Sequence, residues 1–281
     1  MRQYYPVIDA HHHFWKYDPT RDAWITEEMQ VLRNDFMPPQ LESIYHQKGI
    51  SGSVLVQTNS LEDENQVLLD LAKKNPFILG VVGWIDLQSG QLEEKLDWYR
   101  QFPLIKGFRH LLQGERQRDM MLNPAFKKGI GHLGQYGFSF DLLILPDQLE
   151  YAEHLVAAFP EQRFVIDHMA KPPVKQGMIS EWRRAIRKFA PHQQVYCKIS
   201  GLVTEADWAF WEEEDFRPYM DVILDTFGTN RIMFGSDWPV CLLAATYDQV
   251  KEIADDYFDT FTATERADFF GNNAKRFYQL D

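Results

Sequence analysis

Short apolar, β-rich runs recur eight times along the chain, each followed by a longer stretch with helical periodicity. The runs are Val7–Asp9, Ser53–Gln57, Leu79–Trp84, Ile105–Arg109, Phe138–Leu142, Arg163–Asp167, Val195–Ser200 and Arg231–Gly235. Several, such as SVLVQ, LGVVGW and RFVID, are almost continuously apolar. Strands read this way when helices cover one face and a barrel interior covers the other. The stretches between them are Pro39–Lys48, Leu61–Lys74, Gln91–Arg100, Pro124–Gln135, Asp147–Phe159, Ile179–Phe189, Asp215–Phe227 and Thr246–Phe258, with Ala263–Tyr278 closing the chain. Gly49 is placed to cap the first of these, and Val67, Leu68 and Leu71 share a face of the second. Eight strand–helix units predict an α/β protein, a closed parallel (β/α)8 barrel of the TIM type. An open doubly wound sheet is the rival, but no Gly-rich phosphate loop follows the first run, which removes its usual nucleotide-binding rationale.

The length of 281 residues suits one such barrel, and no Pro/Gly/Ser-rich linker or shift in composition divides residues 1–281 into two domains. A formal net charge of -12 counts against nucleic acid and against an anionic membrane surface, because both are held by clustered Lys and Arg. The two cysteines, Cys197 and Cys241, are too few for a disulfide framework and sit among apolar residues, as buried thiols in a reducing compartment do. No apolar run reaches membrane-spanning length, and Met1–Pro6 lacks the apolar stretch of a signal peptide. The expected location is the cytoplasm.

Functional side chains of a parallel barrel project from the carboxyl ends of its strands. The first run ends in Asp9-Ala10-His11-His12-His13. Residues two apart on an extended segment face the same way, so His11 and His13 converge while His12 points away. Two adjacent imidazoles can bind a metal or hold a substrate oxygen. The sixth run delivers His168, and the eighth delivers Asp237 beside Gly235, where a carboxylate can act as general base towards water. The fourth ends in Arg109 and His110; the planar fork of Arg109 suits carbonyl or carboxylate oxygens, and equally a structural ion pair. Gln57, Trp84, Asp141 and Lys198 occupy the remaining ends, as residue types common at loop mouths. Trp15, Trp24, Trp84 and Trp238 can form apolar walls against a ring. His46, His132, His154 and His192 fall on helices or loops away from the mouth and receive no function.

The motifs DAHHHFW, LRNDFMPPQL, KGFRH, NPAF, IDHMAKP and FGSDWP, taken in this order over nearly the whole chain, resemble the amidohydrolase superfamily. The resemblance is to the branch that holds sugar-lactone hydrolases such as the L-fuconolactonases and L-rhamnonolactonases. It implies a distorted barrel with its site at the carboxyl-terminal mouth and His11, His13, His168 and Asp237 as catalytic residues. Arg109, His110, Gln57, Trp84, Asp141 and Trp238 are then the expected substrate-binding groups. Metal-rich relatives carry a carboxylated lysine on strand four and a histidine on strand five, where this chain has Arg109 and Asp141. A two-metal site is therefore not expected. The expectation is either no required cofactor or one divalent ion, zinc before others, on His11, His13 and Asp237. The expected partner is a small-molecule sugar lactone, opened to its aldonic acid, with homo-oligomer formation left open. A metal-dependent decarboxylase of an aromatic acid and a non-catalytic sugar-acid-binding barrel are the alternatives.

Overall fold

Each apolar run forms a strand, and the strands lie side by side in chain order: β1 (Val7–His12), β2 (Ile50–Val56), β3 (Ile78–Gly83), β4 (Ile105–His110), β5 (Ser139–Leu142), β6 (Phe164–Ile166), β7 (Val195–Ile199) and β8 (Ile232–Phe234). All consecutive pairs are parallel. The ring closes just past the ends of β8 and β1. There the Asp237 amide donates to the His11 carbonyl at 2.8 Å and the His13 amide donates to the Trp238 carbonyl at 2.7 Å. An open doubly wound sheet would instead show a reversal of strand order. The fold is thus the expected barrel, distorted where register shifts interrupt the β1–β2, β2–β3 and β3–β4 ladders. The computed structural model describes residues 5–281, so the leader-segment reading of Met1–Pro6 falls mostly outside the described residues.

The helices between strands are α1 (Pro38–Lys48), α2 (Glu62–Lys74), α3 (Leu92–Tyr99), α4 (Pro124–Gln135), α5 (Leu149–Ala157), α6 (Ile179–Ile186), a short α7 (Leu202–Glu205), α8 (Glu213–Phe227) and α9 (Tyr247–Phe258). Gly49 closes α1 in the left-handed conformation (φ 68°), as its position predicts. The single last helix expected over Ala263–Tyr278 is broken instead. It runs as α10 (Ala263–Ala267), a π-helical turn at Asp268–Asn272 and α11 (Asn273–Tyr278). The π turn brings Gly271 against the Pro6 carbonyl, where a Cβ would lie 2.1 Å from the oxygen.

Alternation along the strands sorts the apolar residues into two layers. Val7, Leu55, Val81, Phe164, Ile166, Ile232 and Phe234 face the helices, while Ile8, Val54, Val56, Val82, Val165 and Met233 fill the barrel interior. Phe277 and Tyr278 of α11 join the interior cluster and plug the amino-terminal end of the barrel. Above this apolar layer the inward parity passes to polar groups: Asp141 on β5, Asp167 after β6 and Lys198 on β7, all fully buried. No helix among the described residues is long and apolar enough to cross a membrane, and Cys197 and Cys241 are free and buried.

Candidate active site

Two local departures from regular strand geometry aim the imidazoles. Ala10 already packs in the interior, so alternation would turn His11 outward. The β1–β2 register slips between Asp9 and His12, and His11 turns inward with its neighbour. Bulges next to active sites commonly re-aim a side chain in this way. His12 then points away, sharing a 2.9 Å hydrogen bond with Ser53 Oγ, and His13 returns to the side of His11, with their Nε2 atoms 3.2 Å apart. After β6, His168, Met169, Ala170 and Lys171 all adopt left-handed backbone angles (φ 49–56°), as does Asp237 after β8 (φ 56°). A left-handed turn built from side-chain-bearing residues stores about 1–2 kcal/mol per residue. It breaks the alternation so that Asp167 and His168, adjacent in sequence, both reach the site.

These elements bring His11, His13, His168 and Asp237 together. Asp237 Oδ1 lies 3.4 Å from His13 Nε2, 3.8 Å from His168 Nε2 and 3.9 Å from His11 Nε2. The Nδ1 atoms are anchored behind: His13 Nδ1 donates to the Val56 carbonyl at 2.8 Å, and His168 Nδ1 shares a 2.8 Å hydrogen bond with Ser200 Oγ. Gly201 (φ 64°) leaves room for that ring, since a Cβ there would lie 2.8 Å from His168 Nδ1. Burial keeps His11 neutral, with an imidazole pKa well below its ordinary value, and holds His168 down to about 4. Burial alone would raise the Asp237 carboxyl, but the facing His168 and His13 outweigh it and keep the group ionised.

Beneath this cluster is a buried charge network. Arg109 donates from Nε and Nη2 to Gln57 Oε1 (3.2 and 2.9 Å) and from Nη1 to Asp167 Oδ2 (3.1 Å). Lys198 Nζ donates to Asp141 Oδ2 at 2.7 Å and lies 2.9 Å from Asp167 Oδ1. Two cations and two carboxylates balance, as burial of charge requires. Burial raises the Asp141 carboxyl against the pull of Lys198, whereas Lys198, His11 and Arg109 together overcome burial and hold Asp167 well below the usual range. The sequence reading assigns no role to Asp167 and only a strand-end place to Lys198. The signal for both was present, because inward parity on β6 and β7 points them to the same layer as Asp141.

A cavity of about 470 Å³ opens above the cluster, with His13, Arg109, His168 and Asp237 in its wall. The loops contribute Trp24, Asn59, Lys171 and Trp208, of which only Trp24 figures in the sequence reading. A larger, shallow depression of about 580 Å³ over α4, lined by Lys127, Lys128, His132 and Gln135 beside Leu122, Pro124 and Phe159, has no carboxylate and only one imidazole in its wall. Other expected substrate-binding residues stand elsewhere. Gln57 is buried and serves Arg109; Asp141 is buried under Lys198 and Tyr278. Trp238 packs edge-on against Phe14 and Phe36. Trp84 clasps Asn65 through its backbone and faces His110, whose Nε2 pairs with Glu115 at 2.8 Å. None of these five side chains lines the cavity.

His11, His13 and Asp237 offer two imidazole nitrogens and a carboxylate oxygen within 4.8 Å of one another. The His13 Nδ1–H bond to a carbonyl leaves its Nε2 lone pair facing the site, the usual arrangement of a metal-ligating imidazole. The donor types and spacing therefore fit a divalent cation such as zinc.

The likeness to known proteins agrees with this geometry. The chain is 38% identical to an L-fucono-1,5-lactonase of Burkholderia multivorans over 284 residues, covering 97% of this chain and 96% of the relative. It is 33% identical to an L-fucono-1,5-lactonase of Burkholderia ambifaria, covering 98% and 96%. The crystal structure of an amidohydrolase from B. multivorans with bound zinc superposes with a TM-score of 0.94 at 37% identity, over 98% of this chain and 100% of that one. The amidohydrolase family model matches residues 8–280. With a match of that extent, the barrel and its cluster of imidazoles and carboxylate are those of a member of the amidohydrolase family.

Proposed function

We propose that the protein hydrolyses a sugar lactone, an L-fuconolactone-like 1,5- or 1,4-lactone, to the aldonic acid. The observation that carries this reading is an ionised Asp237 facing three imidazole Nε2 atoms within 3.9 Å, in the wall of a cavity sized for one small ring. The similarity to curated L-fucono-1,5-lactonases supports the substrate class.

In this mechanism Asp237 takes a proton from a water molecule as the oxygen attacks the lactone carbonyl. The carbonyl π electrons move to oxygen, and Arg109 and the neutral His168 face the charge that develops there. One such donor is commonly worth about 3–4 kcal/mol. Collapse of the tetrahedral species re-forms the carbonyl and breaks the ring C–O bond. The departing alkoxide recovers the proton held on Asp237, which returns to its ionised state. A divalent ion on His11, His13 and Asp237 would add Lewis-acid polarisation of the carbonyl. Apolar walls from Trp24 and Trp208 suit the carbon face of a sugar ring.

The test is acid release from L-fucono-1,5-lactone and related lactones in a pH-indicator assay. Asp237→Asn should lower kcat by at least about 10³-fold, since it removes the base while keeping the shape. Wild-type turnover in that variant would remove Asp237 from the mechanism, and no acid release from any sugar lactone would remove the function.

A further inference from the structure

Lys171 closes the left-handed turn after β6, and its ammonium meets the Glu205 carboxylate at the end of α7, with Nζ 2.7 Å from Oε1. Both side chains line the same cavity as His168 and Asp237, and they keep 20% and 23% of their surface exposed. The loops that carry them are joined a second time, where the Lys175 amide donates to the Glu205 carbonyl at 3.0 Å. Trp208 stands in the same wall three residues on, its Nε1 donating to the Thr204 carbonyl at 3.0 Å. The other two cations of this end of the barrel are held by protein groups: Arg109 by Gln57 and Asp167, Lys198 by Asp141 and Asp167. Lys171 is less committed. An ammonium has three hydrogens, and among the described residues the only side-chain acceptor it meets is Glu205 Oε1, while Glu205 Oε2 receives no hydrogen bond. Its charge also bears on the reacting groups. Burial lowers the His168 imidazole to about 4 and Lys171 adds to that; the Asp237 carboxyl, which burial raises, is drawn down by His168 and His13 and further by Lys171.

A hydroxyl group is donor and acceptor at once. It can accept from the spare hydrogens of Lys171 Nζ and donate to Glu205 Oε2. The two charges cancel, so the pair suits a neutral hydroxyl better than a carboxylate. We propose that Lys171 and Glu205 are specificity-determining residues that together bind one ring hydroxyl of the sugar lactone, the ammonium donating to its oxygen and the carboxylate accepting its hydrogen. The inference rests on the lactonase reading and adds to it the groups that select a hydroxylated ring. A ring that lacks this hydroxyl leaves a charged pair facing carbon, and a site built to hydrogen-bond a hydroxyl discriminates strongly against such an analogue. One hydrogen bond to a charged group corresponds to roughly ten- to hundred-fold in kcat/KM.

The test measures kcat/KM of the wild type, Lys171→Met and Glu205→Leu on L-fucono-1,5-lactone and on the three analogues that each lack one ring hydroxyl. Partly exposed ion pairs contribute little to stability, so both variants should fold. In the wild type, one analogue should lose roughly ten- to hundred-fold against the parent lactone. In each variant the parent should lose a similar factor, and the penalty for removing that same hydroxyl should shrink to about three-fold or less. Such non-additivity is the mark of a direct contact, and it cancels any effect of the lost charge on Asp237, which acts on all four lactones alike. A pair that merely clamps the two loops predicts equal losses on all four lactones, with the wild-type preference unchanged. That result, or a preference lost at different hydroxyls in the two variants, overturns the proposal. The absence of acid release from all four lactones in the wild type is a separate outcome, which overturns the lactonase reading and this inference with it.

Discussion

Replacing Gly235 by alanine inserts a methyl group into the wall between β8 and β1. The new Cβ would lie 2.8 Å from His11 Cβ, 3.2 Å from Ser200 Cβ and 3.3 Å from the His11 amide nitrogen. Carbon atoms rest comfortably at about 3.5–4.0 Å, so the wall must open by roughly 1 Å. The atoms that have to yield are those of His11 and of Ser200, which holds the His168 ring. Overpacking of this kind costs about 1–3 kcal/mol, less than the total stability of a typical domain, so the protein stays folded. A shift of about 1 Å at catalytic groups costs on the order of 10²-fold in rate. The assay pairs lactone kinetics with a urea midpoint for wild type, Gly235→Ala and Gly131→Ala. Gly131 is the control, since a Cβ there meets only Phe159 Cε1 at an ordinary 3.5 Å. Gly235→Ala should lose about 10²-fold in kcat/KM, and Gly131→Ala should lose nothing. Wild-type kinetics in Gly235→Ala would refute the claim that His11 and His168 must hold their positions to within an ångström.

Arg109→Lys should lower kcat/KM by about 10²-fold, because a lysine cannot reproduce the fork that engages Gln57 and Asp167 together; unchanged kinetics would remove Arg109 from the site chemistry. Trp208→Ala should raise KM roughly ten-fold with a smaller change in kcat, as expected for loss of one cavity wall, and a pure kcat effect would contradict that placement. Stability should decline on acidification. His168 is held neutral down to about pH 4, and His11 and His12 are likewise buried with lowered pKa values, whereas the unfolded chain protonates its imidazoles near 6.5. The unfolded state binds more protons in this window, so stability is full above about pH 6.5 and falls towards pH 4, by roughly 3 kcal/mol for His168 alone. Equal urea midpoints at pH 7 and pH 5 would show that these rings are not buried and neutral.

The barrel was legible because apolar runs such as Phe164–Ile166 and Ile232–Phe234 are covered on both faces and leave a period-free signature between helical stretches. The pairing of His11 with His13 was legible from spacing alone. Its direction was not, because the register slip after Asp9 depends on contacts with β2, 40 residues further along. The left-handed turn at His168–Lys171 left no mark in the sequence either, since none of its residues is glycine. Strand-end position alone does not separate side chains that touch solvent from those one layer down. Gln57 and Asp141 therefore read as ligand contacts although they support Arg109 and Lys198. The cavity walls were the least legible part. Trp24 is carried there by the long β1–α1 connection, tied down by the Trp15–Phe36 bridge, and Asn59 is fixed by Glu64 and Asp22.

The bonds that shut the ring, from Asp237 to His11 and from His13 to Trp238, join segments more than two hundred residues apart in the chain. A nascent polypeptide therefore has both histidines, and the β2 partners that anchor them, long before it has the carboxylate they face. Synthesis halted anywhere short of Asp237 leaves imidazoles with no Asp237 to face and a ring that is not closed. The cluster is complete only with the last stave of the barrel.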